Sequence, residues 1–260
     1  MNLNLLSLNC QKAYDLSIKE FLIKNLQSRI YDFVLLQEAD EKVISIVERV
    51  GGSYKILKTI NPDNQKQSHL CVLYKSEFVL KNNDFVSFSK LNRQFALRPE
   101  LGFLLGTFDY NGNGIVIASL HLHPGFPFYL RTRGIQMVKN RLCYYNNSAL
   151  PVIFGGDFNL AYPWETVYTR KFLAPGFVDA TISIGPTLNS RYTEKGTHLA
   201  SRINDFLRLI HVDVRLKTDR IFVDEYTANK YSVTSRVLPD RVSDHSPVEL
   251  IIRSDTNSKS

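Results

Sequence analysis

Asp157 and Asn159 stand two residues apart, directly after the glycine pair Gly155-Gly156. A carboxylate and an amide at that spacing can hold a metal ion, a water or a phosphate oxygen. The preceding residues, Val152-Ile153-Phe154, read as a short buried strand broken by the glycines. Alternate side chains of an extended chain share a face, so Asp157 and Asn159 are expected together, with Phe158 turned inward. The glycines are expected to let the backbone approach a ligand closely. A plain turn competes with this reading, because Gly, Asp and Asn are the usual turn residues.

The other polar positions decide between the two. Asn9 ends the alternating run Leu3–Asn9, and Glu38 follows the apolar run from Asp32 to Gln37. His121 follows Ile115–Leu120, Asp219 lies at the start of the strand Thr218–Val223, and Asp244-His245 form a polar turn before Val248–Ile252. Each has a bland explanation alone: a helix cap for Asn9, a surface ion pair for Asp219, a satisfied core histidine for His121. All of them at strand ends is harder to explain as structure, since layered α/β proteins collect function there. Carboxylates with amides fit a hard cation, Mg²⁺ or alternatively Mn²⁺, while the cysteines and histidines lack zinc-site spacing. Two histidines beside several carboxylates fit phosphoester hydrolysis. That chemistry needs a metal on the phosphate oxygens, an activated water opposite the leaving group, and a donor for developing charge.

The elements that must position these residues are legible from periodicity. Ser17-Ile18-Lys19-Glu20 resembles a capping box, and Ile18, Leu22, Leu26 and Ile30 recur at helical spacing, giving a helix to about Arg29. Val43, Ile46, Val47 and Val50 mark a second helix stopped by Gly51-Gly52. Tyr54–Lys58 and His69–Tyr74 are strands around a polar loop over 61–68, and Phe78–Phe88 reads as a hairpin. Leu101–Tyr110 and Ile115–Leu120 flank Asn111-Gly112-Asn113-Gly114, a strong hairpin signal. An aromatic loop with Phe126, Phe128 and Tyr129 leads into a helix to about Tyr145, which carries Arg131, Arg133, Lys139 and Arg141 and no acid. A short helix over Glu165–Phe172, a polar loop over 181–201 and a strand through Tyr231, Val233, Ser235 and Val237 complete the pattern.

The chain has 260 residues, 44% of them apolar, enough for a sizeable core. No repeat, low-complexity tract or linker appears, so residues 1–253 are expected to form one domain and 254–260 a disordered polar tail. The formal charge of +7 favours an anionic partner, either nucleic acid or an acidic membrane surface. Cys10, Cys71 and Cys143 are odd in number and far apart, which fits a reducing compartment. No signal segment opens the sequence and no apolar run is long enough to be a transmembrane segment. A soluble intracellular protein, cytoplasmic or nuclear, and a monomer, is the expectation.

At this point the sequence resembles the endonuclease/exonuclease/phosphatase superfamily, the deoxyribonuclease I-like phosphoesterases. The resemblance rests on Leu35-Leu36-Gln37-Glu38, Ser119-Leu120-His121-Leu122, Gly155-Gly156-Asp157-Phe158-Asn159-Leu160, Asp219-Arg220-Ile221-Phe222-Val223 and Ser243-Asp244-His245-Ser246-Pro247, in that order. Arg133 and Gln136 fit the superfamily's Arg-x-x-Gln. It implies a four-layered α/β/β/α sandwich of two mixed β-sheets flanked by helices. It also implies Glu38 as a ligand of a divalent metal, with Asn9 and Asp244 close by. Asp157 would orient or deprotonate the attacking water, and Asn159 would hold water or phosphate. His245 would contact the scissile phosphate, held in orientation by Asp219, and His121 would donate to a phosphate oxygen.

Motif detail narrows the substrate within that resemblance. Abasic-site enzymes carry a tyrosine motif where this chain has Ser119-Leu120-His121-Leu122. Phosphoinositide phosphatases look for Trp and Arg around the Gly-Asp-x-Asn core, where Phe154 and Leu160 stand here. A nuclease or related Mg²⁺-dependent phosphodiesterase acting on nucleic acid is the leading expectation. It is supported by the charge, the basic helix and the aromatic loop. The alternatives are a phospholipid-directed phosphoesterase, similar to sphingomyelinases or phosphoinositide phosphatases, and an enzyme similar to tyrosyl-DNA phosphodiesterases, which share the Asp-Arg-Ile-Phe form. A catalytically silent binding domain on the same fold is a further alternative.

Overall fold

The computed structural model describes residues 1–10, 16–50, 52–59, 68–88, 101–124, 128–146, 150–160, 163–174, 176–185, 187, 218–240 and 242–254. All but Ser68 of the loop expected over 61–68, most of that over 181–201, Phe126 and the tail beyond Ser254 lie outside the described residues.

Twelve strands among the described residues form two six-stranded sheets. The first contains β1 (Leu3–Asn9), β2 (Phe33–Ala39), β3 (Tyr54–Lys58), β4 (His69–Lys75), β11 (Tyr231–Val237) and β12 (Val248–Ser254), in the order β11-β12-β1-β2-β4-β3. The second contains β5 (Val79–Ser87), β6 (Gly102–Tyr110), β7 (Asn113–His121), β8 (Val152–Asp157), β9 (Phe177–Asp179) and β10 (Asp219–Asp224), in the order β5-β6-β7-β8-β10-β9. Each sheet has one parallel pair at its centre, β1 with β2 and β7 with β8, and antiparallel neighbours outside. A parallel pair needs a crossover. Helices α1 (Leu16–Gln27) and α3 (Tyr129–Asn146) supply the two. Helices α2 (Glu41–Val50), α4 (Pro163–Leu173) and the short α5 (Glu225–Lys230) are the others among the described residues.

Three apolar cores separate four layers. Leu6, Leu8, Val34 and Leu36 on the outer face of the first sheet pack under α1 and α2 with Ile18, Leu22 and Val43. Val116, Ala118, Leu120 and Phe154 on the outer face of the second pack under α3 and α4 with Ile135, Leu142 and Leu173. Between the sheets lie Leu3, Leu5, Phe33, Leu35, Ile117, Ile153, Ile221 and Leu250. This is the expected sandwich. Burial on both faces explains why the central strands lack clean alternation.

The pleat carries the inner stripe to the strand ends. Leu3 and Leu5 face the other sheet, so Asn9 has the same parity. Likewise Ile117 leads to Ser119 and His121, Ile153 to Asp157, and Ile221 back to Asp219. The inter-sheet face is thus apolar along most of its length and polar at one end.

Several expectations are corrected. Phe78–Phe88 forms no hairpin, because β5 runs as one strand against β6 from Val79 to Ser87. β8 continues through Gly155 and Gly156 to Asp157 instead of breaking at them. Both glycines allow close packing against neighbouring strands. A Cβ on Gly156, whose φ is +143°, would lie 2.0 Å from the Leu120 carbonyl oxygen. Ser17 lies inside α1 and does not cap it.

Candidate active site

Strand register assembles the site. His121 on β7 pairs with Asp157 on β8, and Asp157 pairs with Asp219 on β10. Three strand ends thus place these side chains in a row along the second sheet. Opposite, Asn9 pairs with Gln37 across β1 and β2. The Gln37 amide spans the gap and donates to the Ser119 hydroxyl at 3.0 Å. Both residues are buried, so this bond makes a polar floor between the inter-sheet core and the site.

By parity Glu38 should point away from the other sheet. A register shift between Leu36 and Ala39 and a φ of +52° at Glu38 turn it back. Bulges re-aim side chains in this way, and a positive φ at a residue with a Cβ costs about 1–3 kcal/mol. The re-aimed carboxylate Oε1 lies 3.3 Å from Asn9 Nδ2 and 3.6 Å from His121 Nε2. Asn9 Nδ2 also donates to Asp157 Oδ2 at 3.0 Å, and His121 Nε2 lies 3.6 Å from that same oxygen. Asn9 and His121 therefore tie the carboxylates of the two sheets together.

Asp157 and Asn159 meet through a turn, not through strand alternation. Asn159 has a φ of +50°, its backbone N–H donates to Asp157 Oδ1 at 2.8 Å, and its side-chain amide donates to Asp157 Oδ2 at 3.0 Å. The turn reading and the site reading are the same structure. Phe158 is buried among Phe154 and Phe222, as expected.

His245 completes the arrangement. Its Nδ1 lies 2.8 Å from Asp219 Oδ2, and its Nε2 lies 3.9 Å from Asp157 Oδ2 and 3.9 Å from Asp244 Oδ1. The Ser243 hydroxyl fixes this turn by donating to the Asn9 carbonyl at 2.7 Å and accepting from the His245 N–H at 3.0 Å. All eight residues singled out in the sequence converge here. Sequence reasoning missed Gln37, Ser119, Ser243, Thr218 and Thr187. The Thr187 hydroxyl accepts from the N–H groups of Thr218 and Asp219 at 3.1 and 3.0 Å. Gln37 and Thr187 act on partners distant in sequence, Ser119 and Thr218, which no local pattern signals, while the hydroxyls of Thr218 and Ser243 meet the nearby Asp219 and His245 only once the strand ends are folded.

Electrostatics follow from crowding. Burial alone would lower the His245 pKa, but the Asp219 and Asp157 carboxylates outweigh it and hold the imidazolium well above its ordinary range. Burial pushes Asp157 up, opposed by His245 and reinforced by Asp219. Burial, together with Glu38, Asp157 and Asp219, also pushes Asp244 up to about 6, against the pull of His245. Asp244 Oδ1 is buried without a hydrogen-bond partner. A crowded carboxylate group with an orphaned oxygen is what a divalent cation relieves, so Glu38, Asp157 and Asp244 fit a hard metal ion. Asp157, Asp219 and His245 also bring ligand-type atoms within 4.8 Å of one another. However, Asp219 Oδ2 is already held by His245 and by the Thr218 hydroxyl.

The basic helix does not form an open track. Arg131 is buried and binds Glu165 through Nε at 3.0 Å and Nη2 at 2.5 Å. Lys139 donates to the Phe172 carbonyl at 2.5 Å, and Arg141 pairs with Asp84 at 2.5 Å. Arg133 is exposed, with its guanidinium 5.7 Å from the Tyr129 ring centre. The expected cationic surface on α3 is thus largely used in holding the helix in place.

With fold and site in place, the class is defined: the chain belongs to the endonuclease/exonuclease/phosphatase family, whose match covers residues 4–245, and it is a phosphoesterase by family. Among solved structures it is similar to TDP2 from D. rerio complexed with single-strand DNA product, at TM-score 0.75 and 16% identity. That match covers 97% of this chain and 99% of that one. It is also similar to truncated TDP2 from Caenorhabditis elegans (TM-score 0.73, 14% identity, 98% of each chain) and to a mannosyl-6-phosphatase from Bacteroides thetaiotaomicron (TM-score 0.70, 15% identity, 96% and 99%). At these identities the likeness establishes the fold. Comparison with curated proteins gives no match. No helix among the described residues is long and apolar enough to cross a membrane.

Proposed function

We propose that this protein is a divalent-metal-dependent phosphodiesterase acting on nucleic acid, with residues 1–253 working as one domain. The observation that carries the reading is the meeting of Glu38 and Asn9 from one sheet with His121, Asp157 and Asp219 from the other, closed by His245. Glu38 and Asp244, with Asn9 beside them, would hold Mg²⁺ or Mn²⁺. When bound, that ion neutralises phosphate oxygens and polarises the phosphorus.

The chain's own residues divide the remaining work. Asp219 accepts from His245 Nδ1 and so directs Nε2 toward Asp157 and the cleft. An imidazolium held charged by its carboxylate neighbours is a donor, suited to a non-bridging phosphate oxygen as negative charge grows. That leaves Asp157 as the group to take a proton from the attacking water, oriented by the two Asn159 donors. His121 Nε2, beside Glu38 and Asp157, would donate to a phosphate oxygen as the substrate enters.

Nucleic acid as substrate is supported by the charge of +7 and by the similarity to TDP2, a relative captured with single-strand DNA product. The mannosyl-6-phosphatase relative favours a second reading, a phosphomonoester of a small sugar. The deciding experiment is hydrolysis with Mg²⁺ and then with chelator across single- and double-stranded DNA, RNA, a 5′-tyrosyl oligonucleotide, mannose 6-phosphate, sphingomyelin and a phosphoinositide. Metal-dependent cleavage of a nucleic acid, lost in Asp157→Asn, supports the reading. Cleavage of sugar phosphate or lipid alone overturns it.

A further inference from the structure

Helix α4 is inside out. Trp164, Val167 and Tyr168, at i, i+3 and i+4, should face a core, yet they are 50%, 49% and 41% exposed. The opposite side, Glu165 and Thr169, is 4% and 1% exposed. Phe128 and Tyr129 at the start of α3 are exposed beside this stripe, and the Phe128 and Trp164 rings meet edge to face with centres 4.9 Å apart. Exposed aromatics standing singly need no explanation, but five large apolar side chains on two adjoining helix starts do.

Two features place this corner at the candidate active site. Asn159 Nδ2 donates to the Leu122 carbonyl at 2.9 Å, so the segment after His121 is bound to the segment after Asp157. Further along the two segments, the His123 carbonyl, one residue past Leu122, and the Glu165 carboxylate, six residues past Asn159, are both held by the buried Arg131 guanidinium. Trp164 neighbours Glu165, so the ion pair that locks α3 to α4 also fixes the aromatic corner against the strand ends. The charge around it is one-sided: α3 carries no acid, and the acid of α4, Glu165, is buried in that pair. Arg133 over Tyr129 and the exposed Lys171 border the corner.

We propose that Trp164 and Phe128, with Tyr129, form a stacking platform for an unpaired base of a single-stranded nucleic acid whose phosphate lies at Asp157 and His245. This rests on the function proposed above and narrows its substrate to a strand with an unstacked base beside the scissile bond. Aromatic faces bordered by cations, with no exposed carboxylate on α3 or α4, suit stacked bases next to phosphates. A fixed edge-to-face pair, clamped from behind, suits a flat rigid ligand. A paired duplex keeps its base faces covered and offers none.

Trp164 is the only tryptophan in the chain, so its fluorescence reports on this corner alone. In chelator, to stop turnover, a single-stranded oligodeoxynucleotide is expected to quench that emission saturably, and a blunt duplex of the same sequence to leave it nearly unchanged. With metal restored, Trp164→Ala and Phe128→Ala should each lower kcat/KM for the oligonucleotide about tenfold relative to bis(4-nitrophenyl) phosphate, which has no base. Cleavage of the oligonucleotide with neither quenching nor a changed ratio overturns the platform and leaves the proposed function standing. Emission indifferent to oligonucleotide but blue-shifted by phosphatidylserine vesicles also overturns it, since the corner then faces lipid. Saturable quenching without cleavage of any nucleic acid supports the platform and overturns the substrate reading instead.

Discussion

Asp219 Oδ2 accepts from two neighbours at once, His245 Nδ1 at 2.8 Å and the Thr218 hydroxyl at 3.0 Å. The carboxylate is therefore fixed before it fixes the imidazole. Asp219→Asn is expected to lower kcat about 10³- to 10⁴-fold with little change in KM, the scale seen when a histidine loses its orienting acid. Thr218→Val should cost about tenfold, and Thr218→Ser should recover most of it. Steady-state kinetics on one substrate check all three.

The pH profile should follow the two perturbed groups. Asp157 must be deprotonated to accept a proton, and its pKa is raised, so the acid limb lies above the ordinary carboxylate range of about 4. His245 must be protonated to donate, and its pKa is also raised, so activity falls only above neutral pH. Asp219→Asn should move the basic limb to lower pH, read from residual kcat/KM against pH. An unmoved basic limb would mean that His245 is not the donor.

Asp157→Asn and His245→Ala should each abolish turnover, while the thermal midpoint moves by no more than about 5 °C. Both side chains sit at the polar end of the inter-sheet face, outside the three apolar cores. Loss of folding in both variants would make them structural and remove the assignment.

Asp244 offers a stability test of metal binding. Its folded pKa of about 6 lies above the ordinary 3.8, so ionising it weighs against the fold. The penalty is absent below about pH 4, grows between about pH 4 and 6, and is complete, at about 1–3 kcal/mol, by neutral pH. Mg²⁺ should therefore raise the melting temperature at pH 7.5 much more than at pH 5. Asp244→Asn should raise the melting temperature of the metal-free protein at pH 7.5 and erase most of that metal effect. Differential scanning fluorimetry with and without chelator measures both.

The opposite sign holds at Asp179. Burial would raise its pKa, but Arg220 at 2.8 Å and Arg170 at 2.7 Å, with the Thr181 hydroxyl, hold it below the carboxylate range. Its contribution is present at neutral pH and is lost as pH falls through that lowered value. Asp179→Asn leaves the buried Arg220 uncompensated and should cost about 3–5 kcal/mol, measured by chemical denaturation. Gly156→Ala should cost at least as much, since its Cβ would overlap the Leu120 carbonyl.

The chain displayed its strands and their polar tips openly, because period-2 patterning and abrupt polarity are local signals. That was enough to find Asn9, Glu38, His121, Asp157, Asn159, Asp219, Asp244 and His245. How Glu38 reaches its neighbours was not legible, because a bulge depends on the partner strand. Nor was the reversed burial of α4: Trp164, Val167 and Tyr168 have the spacing of a core face, yet the other side is held inward, where Glu165 meets Arg131, Thr166 meets Arg220 and Leu173 enters the core. Phe78–Phe88 looked like a hairpin because its middle, Lys81-Asn82-Asn83-Asp84, is polar. An edge strand beside β6 tolerates that polarity.

β12, which follows Asp244 and His245 directly, slots in beside β1, the first strand of the chain. During synthesis, Asn9, Glu38, His121, Asp157 and Asp219 all leave the ribosome before His245 does. The first sheet cannot close, and the Asp219–His245 pair cannot form, until that late strand is in place. The polar row at the strand ends is thus completed across the two ends of the described chain, by the pairing of β12 with β1.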